Sequence, residues 1–312
     1  MKANVGPKIV LIHRKTRLQE LKARFNTIAN AKFYVEHLGM SFDDFVHEND
    51  GYQEALQTAE SHLSDHGRVH RLDRTFLPNF VFGPKDYVVV VGQDGLVANA
   101  MKYLSGQPIV GVNPDPKRWE GVLLPFKVDD LADLMPEVME RTRPIKRVSM
   151  AKVTLNTHQE LVGVNDIFVG PRSHTSARYR ITLADVSENH SSSGIIVSTG
   201  LGSTGWFRSV ITGASGIAAS FSGQPVKLPE QIAFPWDAPY LYFSVREPWP
   251  SQTSAATLTF GRVDNQSPLY LRSMMPQDGV IFSDGIESDF LEFNSGTEAV
   301  ITLAEKSGAL IV

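Results

Sequence analysis

The chain has 312 residues, no cysteine and a net charge of −4, with 42% hydrophobic and 21% charged residues. That is an ordinary globular composition, long enough for two domains and compatible with a reducing cytoplasm, the compartment expected here. It excludes disulfides, thiolate catalysis, cysteine zinc sites and iron–sulfur clusters. It gives no sign of nucleic-acid binding, since basic residues cluster only locally at 13–17 and 141–147, and no apolar run is long enough for a membrane helix.

In chain order, the opening "MKANVGPKIVLIHRK" reads as the approach to a first strand (KIVLIH, 8–13), not as a signal peptide. Apolar spacing predicts a helix over 18–38, closed by Gly39, and a second over 52–63, ended by Gly67. "RVHRLDRTF" reads as a second strand. "DYVVVV" (86–91) is the plainest strand of the chain. A helix over 96–104 and the strand "PIVGVN" (108–113) complete a βαβ unit, so those two strands should lie parallel. A further helix covers 129–139, entered through Asp129 and Asp130 and kinked at Pro136.

After Pro144 the rhythm changes to short alternating runs such as "ARYRITLAD", with one helix from Thr204 into the Val210 region. The expected architecture is an α/β, Rossmann-like N-terminal domain with a mostly parallel sheet (1–144) and an antiparallel all-β C-terminal domain (145–312).

Three stretches carry chemistry. In "YVVVVGQDGLVANA", Gly92 and Gly95 sit between a strand and a helix, where open α/β sheets bind ligands. Glycines let backbone N–H groups approach a phosphate, and the helix N-terminus adds favourable charge. A carboxylate at Asp94 repels phosphate, so it reads as a general base on a hydroxyl, a holder of Mg²⁺ between phosphates, or a capping residue in a tight turn.

In "GIIVSTGLGSTGWF", the glycines at 200, 202 and 205 spell a dinucleotide fingerprint, but no acid stands at the required distance and the run lies in the strand-rich half. Trp206 and Phe207 replace the Lys-Ser/Thr pair of a P-loop. What survives is a glycine and hydroxyl loop before a helix, in which Ser203 and Thr204 either donate to phosphate or ribose oxygens or cap the helix. In "VNDIFVG", Asn165 and Asp166 form an amide–carboxylate pair that either holds a ribose diol or adenine edge or makes a turn. "FSDGIES" reads as a hairpin turn at Asp284-Gly285. Histidines show no metal-ligand spacing.

The order of these motifs resembles the NAD kinase family over most of the chain. The Gly-x-Asp-Gly turn comes first, then Gly-Val-Asn, Asn-Asp, "STGLGSTGW" and a late Asp-Gly. "KTR" at 15–17, "GVNPDP" at 111–116 and "SSG" at 192–194 look like the divergent branch that includes mitochondrial-type NAD kinases. The resemblance implies ATP-dependent phosphorylation of the adenosine-ribose 2′-hydroxyl of NAD with Mg²⁺, in a cleft between two domains, by a homodimer or homotetramer. It makes Asp94 the catalytic carboxylate and Gly92 and Gly95 the phosphate cradle. Asn113, Asn165 and Asp166 become nucleotide contacts, and Thr199, Gly202, Ser203 and Thr204 the cleft lining. Lys15 and Arg17 become phosphate contacts.

The sequence also departs from the family. Gln93 and Leu96 stand where the family turn is Gly-Gly-Asp-Gly-Thr, and Ser193 replaces an acid. A terminal segment returning to the first domain is expected to be absent, since the chain stops soon after its last β run. A catalytically weak or inactive NAD- or nucleotide-binding protein on the same fold is therefore the alternative. Lipid kinases share the Gly-Gly-Asp-Gly turn, but "STGLGSTGW" speaks against them.

Overall fold

The computed structural model describes residues 6–226 and 232–312. The first five residues, part of the stretch read as the approach to the first strand, lie outside the described residues. Contacts divide the chain into two compact units: residues up to Lys146 together with Ala309–Val312, and Arg147–Gly308.

The first unit runs β1 (Lys8–His13), α1 (Arg17–Phe25), α2 (Ile28–His37), α3 (Phe42–Ser64), β2 (Arg68–Asp73), β3 (Tyr87–Val91), α4 (Asp94–Lys102), β4 (Ile109–Asn113), β5 (Phe126–Lys127), α5 (Leu131–Glu140) and β6 (Ile145–Val148). Its sheet has the order β2-β1-β3-β4, and β1, β2, β3 and β4 pair in parallel, as the βαβ reading requires. Val88, Val89, Val90 and Val91 are each at most 1% exposed. Burying each valine contributes roughly 1.5 kcal/mol, which explains why this run is the surest strand in the sequence. Leu11, Val89 and Val112 pack with Leu56 of α3 and Leu131 of α5 on one side of the sheet.

Two helices replace the single one expected over 18–38. Asn26 turns left-handed at φ 62°, and the Thr27 side chain accepts the Asn30 N–H to start α2. The helix read at 52–63 begins ten residues earlier, because Phe42 and Phe45 are buried against α2. At Pro136 of α5, the missing N–H leaves the Ala132 carbonyl without its helical partner. The His66 ring reaches that carbonyl from just past the end of α3, with Nε2 at 3.2 Å.

The second unit continues with β7 (Ala151–Leu155), β8 (Glu160–Gly163), β9 (Asp166–Pro171), β10 (Ala177–Leu183), β11 (Val186–Ser192), β12 (Ile195–Ser198), α6 (Trp206–Ser222), β13 (Leu241–Val245), β14 (Phe260–Val263), β15 (Leu269–Ser273), β16 (Gly279–Ser283), β17 (Ile286–Glu292) and β18 (Glu298–Leu303). They form two six-stranded sheets, β11-β10-β15-β18-β7-β8 and β14-β13-β12-β9-β16-β17. Every strand pair described within them is antiparallel, as expected. Inward residues of both sheets, including Val153, Ile181, Ile167 and Phe243, share one core. Helix α6 runs well past the Val210 region expected for it.

The last strand, β19 (Gly308–Ile311), corrects the expectation of a missing return segment. It joins the first sheet between β4 and β6, with Leu310 opposite Ile109. Ala309, Leu310 and Ile311 are at most 2% exposed, so the apolar pattern of the C-terminus is that of a strand buried inside a sheet.

Candidate functional site

In the first unit the chemistry gathers at the C-terminal ends of β1, β3 and β4. Gly92 leaves β3 with its N–H donated to Val112 O at 3.2 Å. Gln93 is the N-cap residue of α4, yet its side chain caps nothing. Asp94 is the first helical residue, and both of its carboxylate oxygens accept from the loop after β4: Oδ2 from Val122 N–H at 3.1 Å and Oδ1 from Leu123 N–H at 2.8 Å. The same loop rests on Gly111, where a Cβ would stand 1.9 Å from Leu123 O. Asn113 organises its start, donating from Nδ2 to Trp119 O at 2.9 Å and accepting the Asp115 N–H at 3.1 Å. Asn113 and Asp94 thus meet through one loop, which no sequence spacing announces.

Gly95 is open: a Cβ there meets nothing within 4 Å. The Leu96 and Val97 N–H groups donate to Gln93 O at 2.8 and 3.3 Å, which leaves those of Asp94 and Gly95 for a ligand at the positive end of the helix. Leu96 points the other way. It is 3% exposed, and its Cδ2 would lie 2.8 Å from a Cβ on Gly92. Its place is beneath the turn, so the residue expected to cost a phosphate-binding hydroxyl is in fact a packing residue.

The "KTR" stretch separates into three roles. Lys15 is exposed. Thr16 is fully buried and forms a capping box with Gln19 for α1. Arg17 is bound by Glu48 and by Asp44, the latter at 2.8 Å, and stacks 4.3 Å over the Phe45 ring. Hydrogen bonds from Arg17 and then Arg118 hold the Asp44 carboxyl below its usual range. Arg14 pairs with Glu48 at 3.2 Å. Sequence reasoning missed Tyr52, whose hydroxyl accepts Arg14 N–H at 3.1 Å and donates to Val91 O at 2.8 Å, tying the ends of β1 and β3. Burial first pushes that phenol up to about 12.

In the second unit the Asn165-Asp166 corner is clamped from two sides. Asp284 turns left-handed at φ 56° in the β16–β17 hairpin, as its Asp-Gly spelling suggests. Its carboxylate also accepts the N–H groups of Val164 at 3.0 Å, Asn165 at 2.6 Å and Asp166 at 3.3 Å. From the other side, the Thr199 hydroxyl donates to Val164 O at 2.6 Å and accepts Gly202 N–H at 3.2 Å, while its backbone N–H donates to Asn165 O at 3.0 Å. Gly202 is required here, since a Cβ would stand 2.0 Å from Asn165 O. The Ser203 hydroxyl is fully buried, donating to Gly200 O at 2.6 Å and accepting Phe234 N–H at 3.3 Å. Thr204 is exposed. Thr199, Gly202 and Ser203 therefore shape the corner, and their hydroxyls and backbone serve the protein itself.

The corner leaves two polar groups available. The Asn165 amide is half-buried, and no hydrogen bond reaches it among the described residues. The Asp166 carboxyl is buried, and no hydrogen bond reaches it among the described residues. Burial first, and then the neighbouring Asp284 charge, push that carboxyl up to about 7. Asp284 had its hairpin role in the sequence, but its hold on 164–166 depends on β16 pairing with β9, which only the fold supplies.

Among the described residues no cluster of three or more His, Asp or Glu groups can hold a metal ion, and no helix is long and apolar enough to cross a membrane.

No known protein family's sequence profile matches the chain, and no curated protein matches it. Solved structures do. An NAD kinase from Archaeoglobus fulgidus, in complex with ATP, superposes with a TM-score of 0.57 at 16% identity, covering 98% of this chain and 93% of that one. Yeast NADH kinase, complexed with NADH, superposes with a TM-score of 0.58 at 14% identity, covering 99% of this chain and 84% of that one. The chain has the NAD kinase fold, a parallel-rich N-terminal sheet with helices followed by antiparallel sheets.

Proposed function

We propose that this protein is an NAD(H) kinase that transfers the γ-phosphoryl group of ATP to the adenosine-ribose 2′-hydroxyl. What supports the reading most is the turn after β3. An exposed glycine and uncapped N–H groups open a helix there, and the one carboxylate among them is held by Val122 and Leu123. The N–H groups suit the donor's phosphates. Each Asp94 oxygen gives one lone pair to the loop and keeps another, so the side chain can still accept a proton. In the step assigned to it, Asp94 takes the 2′-hydroxyl proton as the new O–P bond forms. The bond from the γ-phosphorus to its bridging oxygen breaks, and ADP leaves.

Asn165 and Asp166 supply the free amide and carboxyl that suit the nucleoside of the acceptor. Thr199 and Asp284 hold their backbone in place. A divalent cation fits as a companion of the donor's phosphates, with Asp94 as its one protein carboxylate at the turn, and would neutralise charge during transfer. The cation contacts offered by "KTR" reduce to Lys15, because Arg17 is committed to two carboxylates.

A second reading, nucleotide binding without transfer, is favoured by the same commitment of Arg17 and by the Gln93 side chain at a position next to the phosphate-facing N–H groups. Incubation with NAD or NADH, Mg²⁺ and either ATP or polyphosphate separates the two: NADP or NADPH appears in the first case only.

A further inference from the structure

One cavity of the first unit lies away from the turn. It has a volume of about 580 Å³ and opens at the N-terminal ends of β1, β3 and β4, where Lys8, Tyr87 and Pro108 line it. Because these strands run parallel, this is the sheet edge opposite Gly92 and Asp94. Its size is that of a small-molecule site. The floor is apolar, built by Tyr87, Val138 and Ile311, so the C-terminal strand forms part of it.

The charged lining is lopsided. Lys8, Lys85, Arg141 and Arg143 stand against the single carboxylate Asp86, in a chain whose net charge is −4. Asp86 is already paired with Lys8 at 2.8 Å. Arg143 is already ion-paired with Glu137, Nε to Oε2 at 3.2 Å, and its guanidinium lies 5.3 Å from the Phe126 ring centroid. Lys85 and Arg141 are exposed, with no carboxylate paired to either among the described residues. The one amide of the lining is spent: Gln107 accepts Ser105 N–H at 2.6 Å and donates to Gly83 O at 3.0 Å. Recognition in this cavity therefore falls to an apolar surface and a cationic rim.

We propose that the cavity is a second ligand site, for a small organic anion with a flat apolar body and one carboxylate, sulfonate or phosphate group. The body lies on Tyr87, Val138 and Ile311, and the anionic group faces Arg141 and Lys85. The site is independent of the turn that binds nucleotide in our functional reading.

The test uses the full chain and titrates 8-anilinonaphthalene-1-sulfonate as the probe, beside its uncharged relative N-phenyl-1-naphthylamine. The expected result is one sulfonate per chain, with the uncharged compound bound at least about tenfold more weakly. Lys85→Gln combined with Arg141→Gln changes exposed side chains only and should weaken the sulfonate by about tenfold. Ile145→Trp, at a partly exposed position of the lining, should abolish binding by filling the cavity. Asp94→Asn should bind the probe as the wild type does. Equal binding of the two compounds, unchanged affinity in both cavity variants, or loss in Asp94→Asn would each overturn the proposal.

Discussion

Asp94 Oδ1 accepts the backbone N–H of Leu123 at 2.8 Å, so the carboxylate at the head of α4 also fastens the loop after β4. One side chain thus has a structural duty beside the chemical one we propose for it, and substitutions can separate them. Asp94→Ala leaves the Val122 and Leu123 N–H groups without their acceptor, a loss of about 1.5–3 kcal/mol for the bond to part-buried Leu123 and less at exposed Val122, where water takes the acceptor's place. Hydrogen exchange at those two amides should quicken by at least an order of magnitude, with the amides of β3 unchanged. Unchanged exchange at both would show that the carboxylate does not hold the loop.

The two departures from the family turn have different physical consequences. Leu96 is buried beneath Gly92, so Leu96→Thr exchanges core contacts for a hydroxyl and should cost about 1–3 kcal/mol in a denaturant titration. Gln93 is half-buried, and its side chain caps nothing, so Gln93→Gly should raise phosphoryl transfer with little change in stability. A Gln93→Gly protein no more active than the wild type would show that the side chain does not obstruct the donor.

Two glycines in the candidate site should behave oppositely. Gly202→Ala places a Cβ against Asn165 O and should destabilise the second unit by about 3 kcal/mol. Gly95→Ala meets nothing and lies in the first turn of a helix, so stability should hold or rise by up to about 1 kcal/mol. Its KM for ATP should nevertheless rise, because the methyl group narrows access to the turn's N–H groups. An unchanged KM would remove phosphate from this surface.

The strands and the parallel βαβ unit were legible because burial on both faces writes a continuous apolar run, as in 87–91. Breaks between helices were not: Phe25-Asn26-Thr27 looks helical until Thr27 is seen as a cap. The turn carrying Asp94 was visible, but its grip on Val122 and Leu123 joins residues 28 and 29 positions apart. Asp284 shows the same limit, since a hairpin turn explains Asp-Gly completely and hides its contacts with 164–166. Leu310 lies beyond the last run read as β, and only the sheet order reveals that it pairs beside β4.

The Asp166 carboxyl, pushed up to about 7 by burial and by Asp284, fixes a pH dependence. In the unfolded chain an aspartate ionises near pH 4, at roughly 3.9. From about pH 4 to 7 the folded protein keeps a proton that the unfolded chain has released, so the stability due to this group falls as pH rises. Relative to Asp166→Asn, the wild type should therefore lose Tm between pH 5 and pH 8. Parallel pH profiles for the two proteins would place the Asp166 titration elsewhere.

The central claim is phosphoryl transfer to NAD or NADH through Asp94, and the most direct measurement is NADP(H) formation by wild type and Asp94→Asn with Mg²⁺ and ATP. The account predicts turnover by the wild type and a loss of at least about 10²-fold in Asp94→Asn, with both proteins still binding NAD. Equal turnover by the two, or a wild type that binds NAD and forms no NADP(H) with ATP or polyphosphate, would contradict it.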